Sequence, residues 1–447
     1  MRTTRIQILL LILLLVAAGP MAAGQPKTWT LDDCIDYALS QNIDVRKSDL
    51  STQTNELSLE QSKANLLPSL EGSVSHDFSW SKAYDSESGH YGSLDGSNSS
   101  SYSLSSGISL FKGFKLKNSI RQARLNVESS KYYAESVKES VELNILDAYL
   151  QILYAEESVN NAREQIASTT EQLAFAEERL KVGVISKADY LQIKSELASE
   201  KHTMANEQST LSIARLNLMQ LMELPVDDAF SVFFPDLTHL LEIKGELIAE
   251  DIYRQALQYK PEIKQAALSL ESVKLDEKLA RADLIPQLSL STGLSTGWSS
   301  EINGAGYTKQ LNNSIKPFAG ITLSIPIFNN KQAQITLKQA RISTSDAELD
   351  EIDVKNGLRK EIEQACVDLE TAKARYEASQ GQYEAATESY QVAEEKYELG
   401  LINSVDFLSV KTDLITSESE LVQAKYNFIF SNKVVDFYKG IPISLEN

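Results

Sequence analysis

Apolar residues recur in steps of three and four along most of this chain, the spacing that places them on one side of an α-helix. The pattern is almost unbroken through two long stretches, 115–182 and 330–399, each on the order of 100 Å long as a single helix. Shorter helices are predicted at 31–67, 186–224, 251–285 and 403–441. The spacing of Leu211, Ala214 and Leu218 is that of a coiled-coil seam, so we expect these helices to pack along their length.

The period changes to two directly after Pro68 and Pro286, because a proline excludes the helical conformation for the residue before it. Strands long enough to cross a membrane when tilted are predicted at 68–80, 102–111, 286–298 and 318–328. One face of each strand is apolar and the other is rich in serine. In a membrane barrel the apolar face would meet lipid and the serine face water. The alternative is a small soluble β-domain with its apolar face packed inward.

Aromatic residues lie at the ends of these strands, as in the interfacial belts of membrane barrels. Trp80, Tyr102 and Trp298 would share one rim, and Phe111 and Phe328 the other. The segments 81–101 and 299–317 are rich in serine, glycine and asparagine, and we expect them to form exposed loops.

The chain is a tandem duplication. AEERLKVGVISKADYL at 176–191 returns as AEEKYELGLINSVDFL at 393–408, a shift of 217 positions with seven identities in sixteen. Such self-similarity predicts two halves with the same fold. The division is a first repeat at 25–224, an equatorial linker at 225–250 and a second repeat at 251–447.

Each copy of this motif predicts the turn of a long helical hairpin, with tips near 183–186 and 400–403. Gly183 and Gly400 follow helical stretches and suit the left-handed residue just past a helix end. The residues that would start the return helices are Ser186 and Asn403, followed three positions later by Asp189 and Asp406. This spacing is typical of a capping box, in which the N-cap residue and the residue three positions later each accept a hydrogen bond, through the side chain, from the other's backbone N–H.

Four strands cannot close a barrel, and an open sheet edge is not tolerated in lipid because its backbone groups would lack partners. Several copies must therefore share one barrel. Two copies would give eight strands, whose interior is filled by side chains, whereas three would give twelve and leave a passage. A pore therefore needs a trimer or a larger assembly.

Composition narrows the functional classes. Residues 1–24 read as an export signal, with two arginines before an apolar run that is too short to span a bilayer. The net charge of −19 and the lack of a basic stripe argue against nucleic acid as a partner. The four histidines have no metal-ligand spacing, and no nucleophile motif or phosphate-binding loop is present. We therefore expect no enzyme, no metal and no cofactor.

The signal, the duplicated halves, the strand openings Leu-Pro-Ser-Leu and Ile-Pro-Gln-Leu, and tips in which Val-Gly or Leu-Gly precedes an aspartate by six residues resemble the TolC family of outer-membrane efflux and export channels. The resemblance covers the mature chain. It implies a homotrimer with a twelve-stranded barrel in outer-membrane lipid and a helical tunnel in the periplasm. It also implies docking of a periplasmic adaptor protein and an inner-membrane transporter.

The resemblance further implies a gate at the tips. The family's latch tyrosine falls on Tyr397, its aspartate partner on Asp189 and the first acid of the lumenal ring on Asp406. The latch arginine and the second ring acid are replaced by Ile402 and Ser409, which puts the latch and cation selectivity in question. The candidates for adaptor docking are Lys181, Val182, Gly183, Val184, Ile185, Leu399, Gly400, Leu401 and Ile402.

The predicted function is therefore a passive outer-membrane exit duct of an efflux pump or a type I secretion system. The alternative is a pore-less periplasmic coiled-coil adaptor or scaffold. Whether drugs, metal ions or polypeptides are carried stays open, since the transporter selects the cargo.

Overall fold

A computed structural model of the chain describes residues 28–445 apart from 88, 228, 244–246 and 303. The predicted export signal at 1–24 lies outside the described residues. The long helices are α3 (Lys115–Lys181), α4 (Lys187–Leu221), α8 (Gln332–Glu398) and α9 (Ser404–Tyr438). The shorter helices are α1 (Leu31–Gln41), α2 (Ile43–Ala64), α5 (Ala249–Tyr259), α6 (Pro261–Ala282) and α7 (Tyr307–Asn313). The strands are β1 (Thr28–Trp29), β2 (Ser69–Asp85), β3 (His90–Lys112), β4 (Ser231–Val232), β5 (Gln287–Ser299) and β6 (Lys316–Ser324).

The two long helices and their return helices agree with the sequence prediction to within a few residues. The helices predicted at 31–67 and 251–285 are each broken once, after α1 and after α5. Asn42 breaks the first with an extended backbone, and its side-chain oxygen accepts a hydrogen bond from the Asp44 amide at 2.9 Å. Lys260 breaks the second, because Pro261 supplies no backbone N–H and starts α6. The two breaks are 218 positions apart, so they are copies of one feature.

The turns between strand and long helix are also duplicated. Gly113 and Phe114 both have positive φ, and so do Asn330 and Lys331, which lie 217 positions later. A side chain at Gly113 would place its Cβ 2.9 Å from the carbonyl oxygen of Ala282, which explains why glycine occupies the first copy.

The four longer strands form one antiparallel sheet in the order β2-β3-β5-β6. Val74 pairs with Tyr102, Leu104 with Leu294 and Leu290 with Ile321. Because side chains alternate between faces, these pairs share one apolar face and the serines share the other. The predicted separation of an apolar and a hydroxyl face is therefore present, and most of the large apolar side chains are exposed on the single chain.

The ends of the strands differ from the prediction. β2 and β3 extend through most of the segment 81–101 that was expected to be a loop, and α7 lies within 299–317. β6 ends at Ser324 because Pro326 cannot donate a ladder hydrogen bond, so Phe328 lies beyond the strand rather than in it. A bulge between Ser109 and Phe111 places Phe111 opposite Leu288, on the apolar face.

The chain divides into two compact units. The hairpin unit contains the described residues up to Arg46, together with Lys138–Tyr253 and the residues from Glu361 onward. The sheet unit contains Lys47–Val137 and Arg254–Lys360. The core of the hairpin unit includes the fully buried side chains Ile145, Leu146, Tyr149, Ile152, Leu153, Leu218, Ile362 and Phe428. Among the described residues, no helix combines the length and apolarity that a membrane span requires.

Candidate functional site

Two tight turns join the long helices of the hairpin unit, and both end their helix in the same way. At the first tip, the Val184 amide donates to the Arg179 carbonyl at 2.9 Å and the Gly183 amide to the Leu180 carbonyl at 3.0 Å. Leu401 and Gly400 make the corresponding bonds at the second tip, and the two glycines have φ of 78° and 73°. These are Schellman motifs, whose left-handed residue is strained for any residue with a Cβ.

The first return helix begins with the predicted capping box, whereas the second has the predicted N-cap without the reciprocal backbone bond. The Ser186 hydroxyl accepts from the Asp189 amide at 3.1 Å, while the Asp189 carboxylate accepts from the Ser186 amide at 3.2 Å. Asn403 caps α9 by accepting from the Asp406 amide at 2.9 Å. At both turns, backbone groups that a helix end leaves without an intrahelical partner are therefore satisfied locally.

The two tips are joined by polar contacts between the hairpins. The Ser404 hydroxyl at the start of α9 donates to the second carboxylate oxygen of Asp189 at 2.6 Å. The hydrogen bonds from Ser404 and Ser186 lower the pKa of Asp189 below its ordinary 3.8, because they favour the charged carboxylate. Arg179 on α3 donates to the Tyr397 carbonyl on α8 at 3.0 Å. Sequence reasoning missed Ser404 and Arg179, since neither contact is local in the chain.

Tyr397 lies in the apolar cluster behind the tips. Its ring stacks on Phe407 with centroids 4.7 Å apart, and the Arg179 guanidinium lies 5.8 Å from the ring centroid. The Tyr397 hydroxyl has no hydrogen-bond partner within the described part of the chain, so its predicted pairing with Asp189 is not a hydrogen bond here. Burial raises the pKa of Tyr397. Ile402, at the position of the family arginine, packs against the same cluster.

The candidate docking residues divide into two groups. The side chains of Val182, Val184, Leu399 and Leu401 are between 61% and 75% exposed. Ile185 and Ile402 instead pack against the cluster around Phe407. Lys181 forms an exposed ion pair with Glu177 at 3.1 Å. Four aliphatic side chains thus project from the two glycine turns and are exposed in the part of the chain that the structure describes.

The candidate ring residues share one exposed side of α9. Asp406 and Ser409 lie three residues apart and are both exposed. Asp413, one heptad beyond Asp406, is exposed on the same side. The family resemblance places the second ring acid at Ser409, which is not acidic, and Asp413 is the next acidic residue on this side.

A buried polar network lies deeper between the hairpins. The Lys411 ammonium on α9 donates to the Glu200 carboxylate on α4 at 2.9 Å and to the Thr169 hydroxyl on α3. Both charged side chains are at least 94% buried. The Gln172 amide on α3 donates to the Tyr390 hydroxyl on α8 at 2.9 Å, and burial raises the pKa of Tyr390 to about 12. The network therefore connects all four long helices of the unit.

The aromatic residues predicted at the membrane interface all lie in the sheet unit. Trp80, Tyr102 and Trp298 lie on the apolar face, as the register requires. The Tyr102 and Tyr307 hydroxyls are 2.5 Å apart, and the Trp298 and Tyr307 rings are centred 5.5 Å apart, so α7 partly covers this end of the face. Phe111 and Phe114 make an edge-on contact at 5.4 Å. Across the described residues, no group of three or more possible metal ligands is found.

Comparison with known proteins extends this description. The sequence profile of the family described as outer membrane efflux protein matches residues 34–223 and 252–432. Toxin and drug export protein A of Aggregatibacter actinomycetemcomitans is 23% identical over 417 residues, covering 91% of this chain and 85% of that protein.

Solved structures share the fold. The structure of CusC matches with a TM-score of 0.79 at 20% identity, covering 94% of this chain and 96% of CusC. The CmeC outer membrane channel of Campylobacter jejuni matches with a TM-score of 0.76 at 20% identity, covering 92% of this chain and 85% of CmeC. The open state of the MtrE channel of Neisseria gonorrhoeae matches with a TM-score of 0.72 at 19% identity, covering 92% of this chain and 88% of MtrE.

Proposed function

Because the chain belongs to the outer membrane efflux protein family, which supplies the outer-membrane exit ducts of efflux pumps, we propose that three copies assemble into one duct. The sheet units would close a twelve-stranded barrel in the outer membrane, and the hairpin units would form a periplasmic tunnel. An inner-membrane transporter and a periplasmic adaptor would deliver the substrate. The family and the fold are those of channels, which supports passive transport through the duct.

The observation that carries this proposal is the open sheet. Its outer strands, β2 and β6, each have one side without a partner among the described strands. Unpaired backbone groups on an apolar-faced sheet are costly in lipid, and pairing β2 of one copy with β6 of the next removes both edges. This head-to-tail pairing closes into a ring, with the serine face turned to the water-filled bore.

The helices of the sheet unit support the same arrangement. Thr52 of α2 contacts the Ser130 carbonyl of α3, Gln122 of α3 contacts Asp276 of α6, and Arg341 of α8 pairs with Glu277 of α6. The helix order is therefore α2-α3-α6-α8, with α2 and α8 outermost. Exposed apolar residues recur seven positions apart on both outer helices: Leu50 and Leu57 on α2, and Ile335, Ile342 and Leu349 on α8. Such stripes pack against each other in coiled coils.

Reconstitution into planar bilayers tests the duct directly. Purified protein is expected to give single channels of uniform conductance, with no need for a nucleotide or an ion gradient. Protein that stays soluble and monomeric without detergent would favour a pore-less periplasmic scaffold instead, and protein that inserts without forming channels would contradict the duct.

We place the entrance at the hairpin tips, with three copies of Asp406 and Asp413 lining it. Converging carboxylates bind multivalent cations, so hexaamminecobalt is expected to block the channel from the tip side. The variant Asp406→Asn should weaken this block roughly tenfold, since rings of acidic side chains set cation binding in pores. Glu171→Gln, which removes an exposed acid from α3, is the matched control. Equal block in all three proteins would leave the Asp406 carboxylate with a local role only, as acceptor of the Asn403 side-chain amide at 3.0 Å.

We place adaptor docking on the exposed aliphatic side chains Val184 and Leu401. A charge in an apolar interface is costly to bury, so Val184→Asp with Leu401→Asp should abolish co-purification of the adaptor. Ile213→Asp, which introduces the same charge at an exposed aliphatic residue on α4, should retain it. Loss of the adaptor in both variants, or in neither, would contradict this assignment.

A further inference from the structure

The hydroxyl face of the sheet contains one aromatic exception. Within the paired registers of β2, β3, β5 and β6, this face consists largely of serine, threonine and glycine. Phe318 on β6 pairs with Gly293 on β5, so its ring lies on the serine face and not on the apolar face. It is the only phenylalanine, tyrosine or tryptophan on that face within these described registers, and its side chain is 50% exposed.

Gly293 leaves room for the Phe318 ring because it has no side chain. A Cβ added to Gly293 would lie 2.6 Å from Cε1 and 2.8 Å from Cζ of Phe318, so the far end of the ring extends over the glycine. An aromatic ring over a cross-strand glycine covers the bare backbone there and fixes its own rotamer. The ring is therefore held against the wall of the sheet, with half of its surface still accessible.

A cation accompanies the ring. Lys316 lies two residues before Phe318 on the same face of β6 and is exposed. The two Cα atoms are about 6.6 Å apart along the strand, a separation that the long lysine side chain can bridge to reach the acid group of an aromatic anion stacked on the ring. The ring offers stacking, and the ammonium offers a charge-assisted hydrogen bond to a carboxylate or sulfonate.

Resting on the proposed trimeric barrel, we propose that Phe318 and Lys316 form a binding site for aromatic anions in the bore, repeated three times by symmetry. Twelve strands about 4.8 Å apart and tilted by about 40° give a backbone diameter of about 24 Å, so rings held against the wall leave a wide passage. The site retains a passing solute briefly and does not close the bore.

Block of single channels by naphthalene-1-sulfonate, added from the side opposite the tips, tests this site. The wild type should show concentration-dependent block, whereas methanesulfonate should not block. Phe318→Ser should weaken the block roughly five- to tenfold, as loss of a stacking partner implies. Lys316→Gln should weaken it as well.

The control is Ile321→Ser on the apolar face, which should leave the block unchanged. Absence of block in the wild type, or equal block in wild type and F318S, would overturn the aromatic-anion site while the channels themselves persist. Failure of the wild type to form channels at all would instead contradict the proposed duct.

Discussion

Asp189 acts at two sites at once, since it completes the cap of its own helix and also accepts the Ser404 hydroxyl from the other hairpin. Its lowered pKa means that the contact is strongest while the carboxylate is charged. A depressed pKa in the folded state gives stability that is present above the ordinary value of 3.8 and lost as pH falls through the folded pKa. The tip contact should therefore loosen only in strong acid.

The variant Ser404→Ala tests this at the level of one hydrogen bond. Without Ser404 the pKa of Asp189 should rise toward its ordinary value. As the pH falls, the contact between the two tips should then loosen, and the channel entrance open, at a higher pH than in the wild type. The readout is single-channel conductance as a function of pH. Asp189→Asn is the control, because it removes the titrating group. Identical pH profiles for S404A and the wild type would contradict the role assigned to this bond.

The caps and turn glycines were predictable because each depends on residues within a few positions. Gly183, Ser186 and Asn403 have the predicted positions in their motifs. The bond between Asp189 and Ser404, and that between Arg179 and Tyr397, join residues more than 200 positions apart. Sequence spacing carries no information on which of these side chains meet.

At the scale of elements, the positions and lengths of the long helices could be predicted from the apolar periodicity. The breaks in helices and strands depend instead on single residues. Asn42 breaks a helix whose apolar spacing continues, because its side chain caps α2 and its amide nitrogen donates to the Leu221 carbonyl at 2.9 Å. Pro326 ends β6 before the apolar alternation stops. The bulge before Phe111 depends on the partner strand, which the sequence of β3 alone does not reveal.

The Lys411–Glu200 pair should govern how the hairpins pack. Lys411→Met leaves the buried Glu200 charge without its cation, which typically costs about 3–5 kcal/mol. The double variant Lys411→Met with Glu200→Leu should recover most of this loss, because apolar residues of similar volume can replace a buried pair. Thermal unfolding followed by helical circular dichroism measures both. A double variant no more stable than K411M would show that the unpaired Glu200 charge is not the main cause of the lost stability.

At the scale of the whole molecule, the number of predicted strands indicated that several chains share one barrel. The structure adds the helix surfaces, on α2 and α8, through which neighbouring chains would pack. Leu57→Asp on α2 or Ile342→Asp on α8 should each weaken the trimer, since the charge would enter an apolar seam between copies. Ile213→Asp, on an exposed part of α4, should not. Size-exclusion chromatography in detergent would detect the shift to single chains, and unaltered trimers in both variants would exclude this seam.

Native mass spectrometry of the detergent-solubilised protein tests the central claim most directly, because four strands from each chain make a barrel with a passage only when at least three chains combine. The account predicts one dominant species with the mass of three chains. A dominant single chain, or a dimer with its eight strands, would contradict it.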